Sequence, residues 1–174
     1  MRVLITGGTG FIGKHLLNKL KNKKFKILVC SRKLYKNRSN IKYTKQDIGK
    51  KLNHTIITFK PEIIIHLAWQ GIPDFSLENS LENIKKNIFF LNNVCCLPNL
   101  KKIIVSGSCL EYGSHKGLCR ENLTYKSNSF FSYSKNVIRE FLQMICAEKK
   151  INYVWLRFFY VYGLNQRKNT IIHT

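Results

Sequence analysis

The first thirteen residues constrain the fold of this chain more than any other segment. An apolar run of strand length, residues 2–6, is followed by three glycines spaced three residues apart and then by leucines at helical spacing. Glycines in this position let a chain turn sharply out of a strand and bring backbone N–H groups up to a pyrophosphate at a helix N-terminus. The sequence therefore predicts a dinucleotide-binding loop, the alternative being an ordinary glycine-rich turn. The residues expected at the pyrophosphate are Gly7, Gly10, Phe11, Ile12 and Gly13.

Strand-like and helical segments alternate along the rest of the chain. Such alternation is typical of an α/β fold with a doubly wound, parallel, Rossmann-like sheet and right-handed crossovers. The chain contains no internal repeat or linker, so residues 1–163 are predicted to form one dinucleotide-binding domain. Strands are predicted at 2–6, 25–30, 41–46, 62–67, 101–106 and 152–158, and helices at 12–22, 78–97 and 132–149.

Size and composition place the chain among globular proteins. Its 174 residues, 44% of them hydrophobic, are enough for one well-buried domain. We expect no signal peptide before the first strand, and no apolar run is long enough to span a bilayer. The six cysteines show no metal-ligand spacing. We therefore expect a cytoplasmic protein with reduced thiols, no membrane anchor and no metal site.

The formal net charge of +21 is the least specific feature of the sequence. A large positive surface favours nucleic acids or acidic phosphate ligands. The lysines, however, are spread over most surface segments, and no platform of aromatic and basic residues for stacking bases stands out. A lysine- and asparagine-rich surface also arises from genome composition alone. We interpret the charge as a solvated surface and expect no nucleic-acid partner.

Five motifs in a fixed order give the chain a resemblance to a known family. The glycine spacing differs from the Gly-x-Gly-x-x-Gly of most dehydrogenases, and it resembles that of the extended short-chain dehydrogenase/reductases, the NAD(P)-dependent epimerase/dehydratases that modify nucleotide sugars. The resemblance covers nearly the whole chain. The other four motifs are His66-Leu67-Ala68-Trp69, the segment 106–113, Ser134-Lys135 and the segment 157–163.

The resemblance implies a second, smaller lobe that holds the sugar and that follows the segment 157–163. Here Leu164-Asn165 replaces the usual Pro-Gly pair, and the sequence stops at Thr174. We therefore expect the substrate lobe to be largely missing, either because this is a fragment or because the protein is truncated. Residues 164–174 would be the start of that region.

The resemblance also implies which residues contact the cofactor. Arg32 follows the second strand, where an NAD-preferring enzyme typically carries a carboxylate for the ribose hydroxyls. A guanidinium pairs instead with a 2′-phosphate, so NADP is expected and NAD is the alternative. Several residues also have a plain structural explanation: Arg32 as a surface cation, His66 as a packed core histidine, Asp47 as a turn residue and Asn83 as a surface asparagine. The further residues expected at the cofactor are Asp47, Ile48, Leu67, Ala68, Asn83 and Lys135.

By the same resemblance, catalysis uses a serine, a tyrosine and a lysine. Ser108 and Lys135 match the first and the last, but the tyrosine position four residues before the lysine holds Phe131. Phenylalanine has no proton to transfer. Tyr133 lies about 200° round the helix from Lys135, so it replaces the tyrosine only if the helix begins late or distorted. Tyr125 and a bound water are weaker candidates.

We therefore predict an NADP-binding domain related to nucleotide-sugar 4-keto reductases, which transfer a hydride at C4 of a nucleotide-linked deoxysugar. One alternative is an inactive cofactor-binding remnant, which Phe131 favours, and another is an NAD-dependent epimerase. The expected partner is a nucleotide-sugar substrate. Apolar residues in the predicted helices 78–97 and 132–149 fit a homodimer interface of the kind found in relatives, and equally a monomer core.

Overall fold

Six parallel strands form a single sheet with helices on both faces. The structure is a computed structural model and describes residues 1–123 and 126–166. The strands are β1 (Arg2–Thr6), β2 (Lys26–Ser31), β3 (Ile41–Lys45), β4 (Ile63–His66), β5 (Lys102–Ser108) and β6 (Asn152–Phe158); the helices are α1 (Phe11–Leu20), α2 (His54–Phe59), α3 (Leu77–Cys95) and α4 (Phe130–Glu148).

The strand order creates the crevice in which a ligand can lie. The strands are arranged β3-β2-β1-β4-β5-β6, so the chain runs outwards from β1 in one direction and then in the other. In the register of the sheet, Val3 of β1 pairs with Ile27 of β2 on one side and with Ile63 of β4 on the other. In open α/β sheets the loops diverge at such a reversal, outside the carboxyl ends of the strands. The segments after β1 and β4 therefore flank the switch point.

Alternate residues of the central strands supply two separate hydrophobic cores. Leu4 and Ile64 pack with buried residues of α3 and α4, among them Phe90 and Ile138. Their neighbours in the strand, such as Ile5, join Leu17 of α1 on the opposite face. A strand buried on both faces reads as a continuous apolar run, which explains the sequence pattern of β1, β2 and β4.

The predicted α/β doubly wound fold is confirmed, and each predicted strand and helix has its counterpart. The sequence pattern did not predict α2, whose six residues are too few for a helical period, or the 3-10 turn at Cys109–Tyr112. It also placed the start of α4 at residue 132, whereas the helix begins at Phe130 behind the N-cap Ser129. The proposed boundary at 163/164 stays a prediction, because residues 167–174 lie outside the described residues.

The described part of the chain contains no helix with the length and hydrophobicity that a bilayer crossing requires.

Candidate functional site

The loop between β1 and α1 is packed so closely that only glycine fits at two of its positions. Gly7 has a φ of +68° and lies against the backbone of Leu67. A Cβ at Gly13 would overlap the carbonyl oxygen of Gly7. That carbonyl accepts a hydrogen bond from the Gly10 N–H at 3.0 Å. Both glycines therefore bring α1 tightly onto the end of β1, beside the switch point.

The N-terminus of α1 is left open by this loop. Its N-cap is Gly10, which has no side chain to accept from the first-turn N–H groups, and that turn contains no acidic residue. Phe11 and Ile12 are the first two residues of the helix. Uncapped N–H groups and the helix dipole favour an anion at this point. The five residues predicted to surround a pyrophosphate are thus brought together in the loop and the first turn of α1.

A chain of hydrogen bonds ties β1, β4 and α3 together beneath the crevice. The Ala68 N–H donates to Thr6 Oγ1 at 3.3 Å, and Thr6 Oγ1 lies 2.7 Å from His66 Nδ1. His66 Nε2 lies 2.6 Å from Asn87 Oδ1, and the Asn87 amide donates onward to the Asn83 carbonyl. Burial lowers the pKa of His66 to about 4, against the opposing effect of its bond to Asn87. His66 is therefore neutral, with Nδ1 as acceptor and Nε2 as donor.

Asn83 is buried and braces the segment that follows β4. Its Oδ1 accepts from the Gln70 N–H at 3.0 Å, and its Nδ2 donates to the carbonyls of Gln70 and Asn79. All of these partners are protein groups, so the side chain holds the crevice wall in position. Leu67 and Ala68, at the end of β4, lie half-buried at the switch point.

Basic side chains surround the position after β2. Arg32 is exposed and lines a cavity of about 410 Å³ beside Asp47. Asp47 Oδ1 accepts from the Gly49 N–H at 2.8 Å, which is a turn contact, and Ile48 is buried in the core. The cavity is lined by Arg32, Lys45, Gln46, Asp47, Lys50, Lys51 and Asn53, which together carry four cations and one carboxylate.

Ser108 ends β5 and begins the 3-10 turn. Its Oγ accepts from the Leu110 N–H at 3.2 Å, and its own N–H donates to Glu111 Oε1 at 2.7 Å. The Glu111 carboxylate is fully buried, paired with Arg157 Nε at 3.1 Å and hydrogen-bonded by the indole of Trp155. This buried pair fixes the turn and with it the position of Ser108.

Lys135 projects from α4 into an aromatic environment at the ends of β4 and β5. Its Nζ donates to the Ser106 carbonyl at 2.9 Å and lies 4.0 Å from the centroid of the Trp69 ring. Phe131, one turn earlier, contacts Trp69 edge-on and Phe75 at 4.8 Å between centroids. Burial lowers the pKa of Lys135 to about 7, against the attraction of Glu111.

The structure does not bring Tyr133 to Lys135. Ser129 caps α4, and the Tyr133 N–H donates to the Ser129 carbonyl at 3.0 Å, so the first turn is regular. Tyr133 consequently lies on the outer side of the helix, 56% exposed, in a groove with Phe75 and Leu81. The late or distorted helix start that its catalytic role requires is absent from this turn. Tyr125 lies outside the described residues.

The parts of this site occur along the chain in the order of the motifs of one family: first the glycine loop, then the switch point, then Ser108 and Lys135. The sequence model of the NAD dependent epimerase/dehydratase family matches residues 3–174. The chain belongs to this family. In the described residues of this epimerase/dehydratase-family chain, no group of three or more His, Cys, Asp or Glu side chains is placed to hold a metal ion.

Individual relatives resemble the chain along most of its length. It is 25% identical over 177 residues to the dTDP-6-deoxy-L-talose 4-dehydrogenase (NAD(+)) of Aggregatibacter actinomycetemcomitans, covering 98% of this chain and 65% of the relative. Its fold is similar to that of the Thermus thermophilus UDP-glucose 4-epimerase in complex with NAD. That match has a TM-score of 0.83 at 23% identity, over 96% of this chain and 58% of the other.

A third relative is the UDP-N-acetylglucosamine 4-epimerase of Methanobrevibacter ruminantium M1 in complex with UDP-N-acetylmuramic acid. The TM-score is 0.82 at 23% identity, covering 99% of this chain and 59% of the other. This family member therefore spans between 58% and 65% of the length of these three proteins.

Several residues of the site in this family member could not be predicted from its sequence. Trp69 belongs to one of the five motifs, but nothing in the sequence indicates that its ring lies against Lys135, 66 positions later. In the sequence, Lys45, Lys50 and Lys51 do not differ from the many other lysines of the basic surface. Only the position of Lys50 and Lys51, three and four residues after Asp47 in the predicted adenine region, could have indicated that they gather beside Arg32.

Proposed function

We propose that this chain binds a nicotinamide dinucleotide across the switch point. The observation that carries the proposal is the β1–α1 loop, where two glycines without room for a Cβ bring an uncapped helix N-terminus beside β4. The backbone N–H groups of Phe11 and Ile12 would hold the pyrophosphate. Asp47, Ile48, Leu67 and Ala68 would line the adenosine and nicotinamide sides of the crevice.

The charges near the end of β2 support NADP over NAD. A cavity with four cationic side chains and one carboxylate favours the additional 2′-phosphate, and Arg32 can pair with it through two N–H groups. Two of the three relatives named above carry NAD in their name or complex. NAD is therefore the competing cofactor, and the distinction depends on Arg32.

For the whole protein we propose redox chemistry at C4 of a nucleotide-linked sugar, in the direction of 4-keto reduction. Two observations support this class of reaction. The chain belongs to the epimerase/dehydratase family, and one relative is named as a 4-dehydrogenase of a nucleotide-linked deoxysugar. The bound dinucleotide would supply or accept a hydride. Ser108 would position the sugar oxygen, and Lys135 would lie beside the nicotinamide ribose.

Phe131 supports a second candidate, a cofactor-binding protein without catalysis. Its ring occupies the buried position one turn before Lys135 and offers no hydroxyl. Positioned proton transfer is typically worth about 10²–10⁴ in rate, so its loss would be severe. An epimerase with permanently bound NAD is the remaining alternative, and it is distinguished by the cofactor that copurifies.

We also propose that the outer groove between α3 and α4 forms a homodimer contact. The groove exposes large apolar side chains in the described part of the chain, and such patches mark interaction sites. Its apolar residues are Phe75, Leu77, Leu81, Ile84, Phe130 and Tyr133.

The deciding experiment is a titration of the purified chain with NADPH and with NADH, following the fluorescence of Trp69 and Trp155. We expect NADPH to bind more tightly, and Arg32→Ala to weaken NADPH binding about 10- to 100-fold while leaving NADH unchanged. Arg38→Ala, in the same basic segment, is the matched control. A folded chain that binds neither dinucleotide would refute the proposed site.

A separate assay distinguishes an active enzyme from an inactive remnant. Turnover is measured with dTDP-4-keto-6-deoxyglucose and NADPH, in the natural chain and in Phe131→Tyr. Activity in the natural chain supports the reductase. Activity only after tyrosine is restored supports a chain whose chemistry was lost at position 131. No activity in either supports a domain that lacks the rest of its substrate site.

A further inference from the structure

Lys135 has the surroundings of a lysine that loses its proton easily. Its side chain is buried, with 5% of the residue exposed, and the Ser106 carbonyl is its hydrogen-bond acceptor. The Nζ atom also lies 4.0 Å from the centroid of the Trp69 ring and 5.8 Å from that of Phe131. Within residues 1–123 and 126–166, no carboxylate lies within ion-pair distance of it. Burial without a paired carboxylate favours the neutral amine.

The charged and titratable groups on the neighbouring elements do not compensate for this burial. Glu111, on the 3-10 turn, attracts the ammonium, but its carboxylate is engaged by Arg157 and Trp155. His66, on β4, is neutral and uses both ring nitrogens in the hydrogen-bond chain beneath the crevice. Lys135 is therefore the group in this part of the crevice whose pKa, about 7, lies at neutral pH.

A second observation points to a ligand near Trp69, the residue whose ring lies against this amine. The indole N–H of Trp69 is buried and has no acceptor among the described residues, although the ring itself lies against Lys135. A buried donor without an acceptor is costly, and a ligand oxygen in the crevice would satisfy it. Phe131 offers no hydroxyl to exchange a proton with such an oxygen.

Building on the proposed function, we propose that the amine of Lys135 exchanges the proton with the reacting oxygen of the substrate, in the role that a hydroxyl at position 131 would otherwise fill. In the oxidative direction the Nζ lone pair takes the hydroxyl proton, the O–H bond breaks and the C=O bond forms. The hydride leaves carbon with its electron pair for the nicotinamide. In the reductive direction the ammonium returns the proton to the oxygen. Ser106 holds the amine through one N–H and leaves the lone pair free.

The test begins with the titration of Lys135 itself, which requires no ligand. Side-chain ¹³C and ¹⁵N shifts of the lysines are followed from about pH 5 to 11 in the isotopically labelled chain, and the Lys135 signal is assigned by its loss in Lys135→Arg. We expect a midpoint near 7. The reference value for an unperturbed lysine is about 10.4. A Lys135 midpoint in that ordinary range would overturn the proposal.

NADPH binding and turnover then separate this proposal from the proposed function. We expect Lys135→Arg to lower turnover of the 4-keto sugar by about 10²–10⁴, and the pH profile of the natural chain to follow the Lys135 midpoint. The role of Lys135 is overturned, and the proposed function stands, if turnover persists in Lys135→Arg. The same holds if the pH dependence of turnover does not follow the titration midpoint of Lys135. A midpoint near 7 in a chain that binds no dinucleotide overturns both.

Discussion

At the scale of single residues, the hydrogen bonds beneath the crevice run in one direction through a neutral imidazole. Each group from Ala68 to Asn83 donates to the next, and His66 fits the order only when Nδ1 carries no proton. Protonation would place a donor against the Thr6 hydroxyl and a charge in a buried site. The structural explanation given for His66 from the sequence, a packed core histidine, agrees with this environment.

Because its folded-state pKa lies below its unfolded value, His66 should make the fold acid-sensitive. The unfolded chain binds the proton near pH 6.5 and the folded chain near pH 4, so stability is full above 6.5 and falls as the pH decreases towards 4. We expect a loss of about 2 kcal/mol between pH 7 and 5, measured by urea unfolding. His66→Gln should remove this loss, whereas His54→Gln, at an exposed histidine, should retain it. Equal pH slopes in all three chains would contradict the assignment.

At the scale of elements, hydrophobic periodicity was sufficient to predict most of the sheet and its helices. Strands buried on both faces gave continuous apolar runs, and α1, α3 and α4 gave helical spacing over ten or more residues. The hydrophobic periodicity of the sequence could not predict which side chains of different elements contact one another. Trp69 and Lys135 meet because β4 ends and α4 begins at the same edge of the sheet. The helix α2 has too few turns to show a period.

The β1–α1 loop gives an element-scale prediction that separates folding from binding. Gly13→Ala would place a methyl group against backbone atoms that cannot move aside, so we expect a loss of stability of about 2 kcal/mol or more in urea unfolding. Gly10→Ala meets only the Gly7 carbonyl oxygen, at 3.2 Å, and Gly10 has a negative φ. This control should fold with nearly natural stability but bind NADPH less well. Equal stability losses in the two variants would contradict the packing described here.

At the scale of the whole molecule, the outer groove of α3 and α4 predicts self-association. Leu81 is 48% exposed in this groove, and a glutamate there would bury a charge in any interface formed. Sedimentation should show a dimer whose dissociation constant rises at least about 30-fold in Leu81→Glu. Leu118→Glu, at a leucine 72% exposed outside the groove, should leave it unchanged. A natural chain that sediments as a monomer at high concentration would exclude the interface.

The central position of β1 also affects the order in which the molecule can fold. One edge of β1 pairs with β2, but the other pairs with β4, where His66 follows Thr6 by sixty residues. Parallel pairing across such a separation is slow, because a long loop must close before the contacts form. Until β4 docks, β1 presents an open and apolar strand edge, the kind of surface through which partly folded chains associate. We therefore expect aggregation during refolding to decrease sharply once β4 has joined the sheet, well before α4 and β6 are in place.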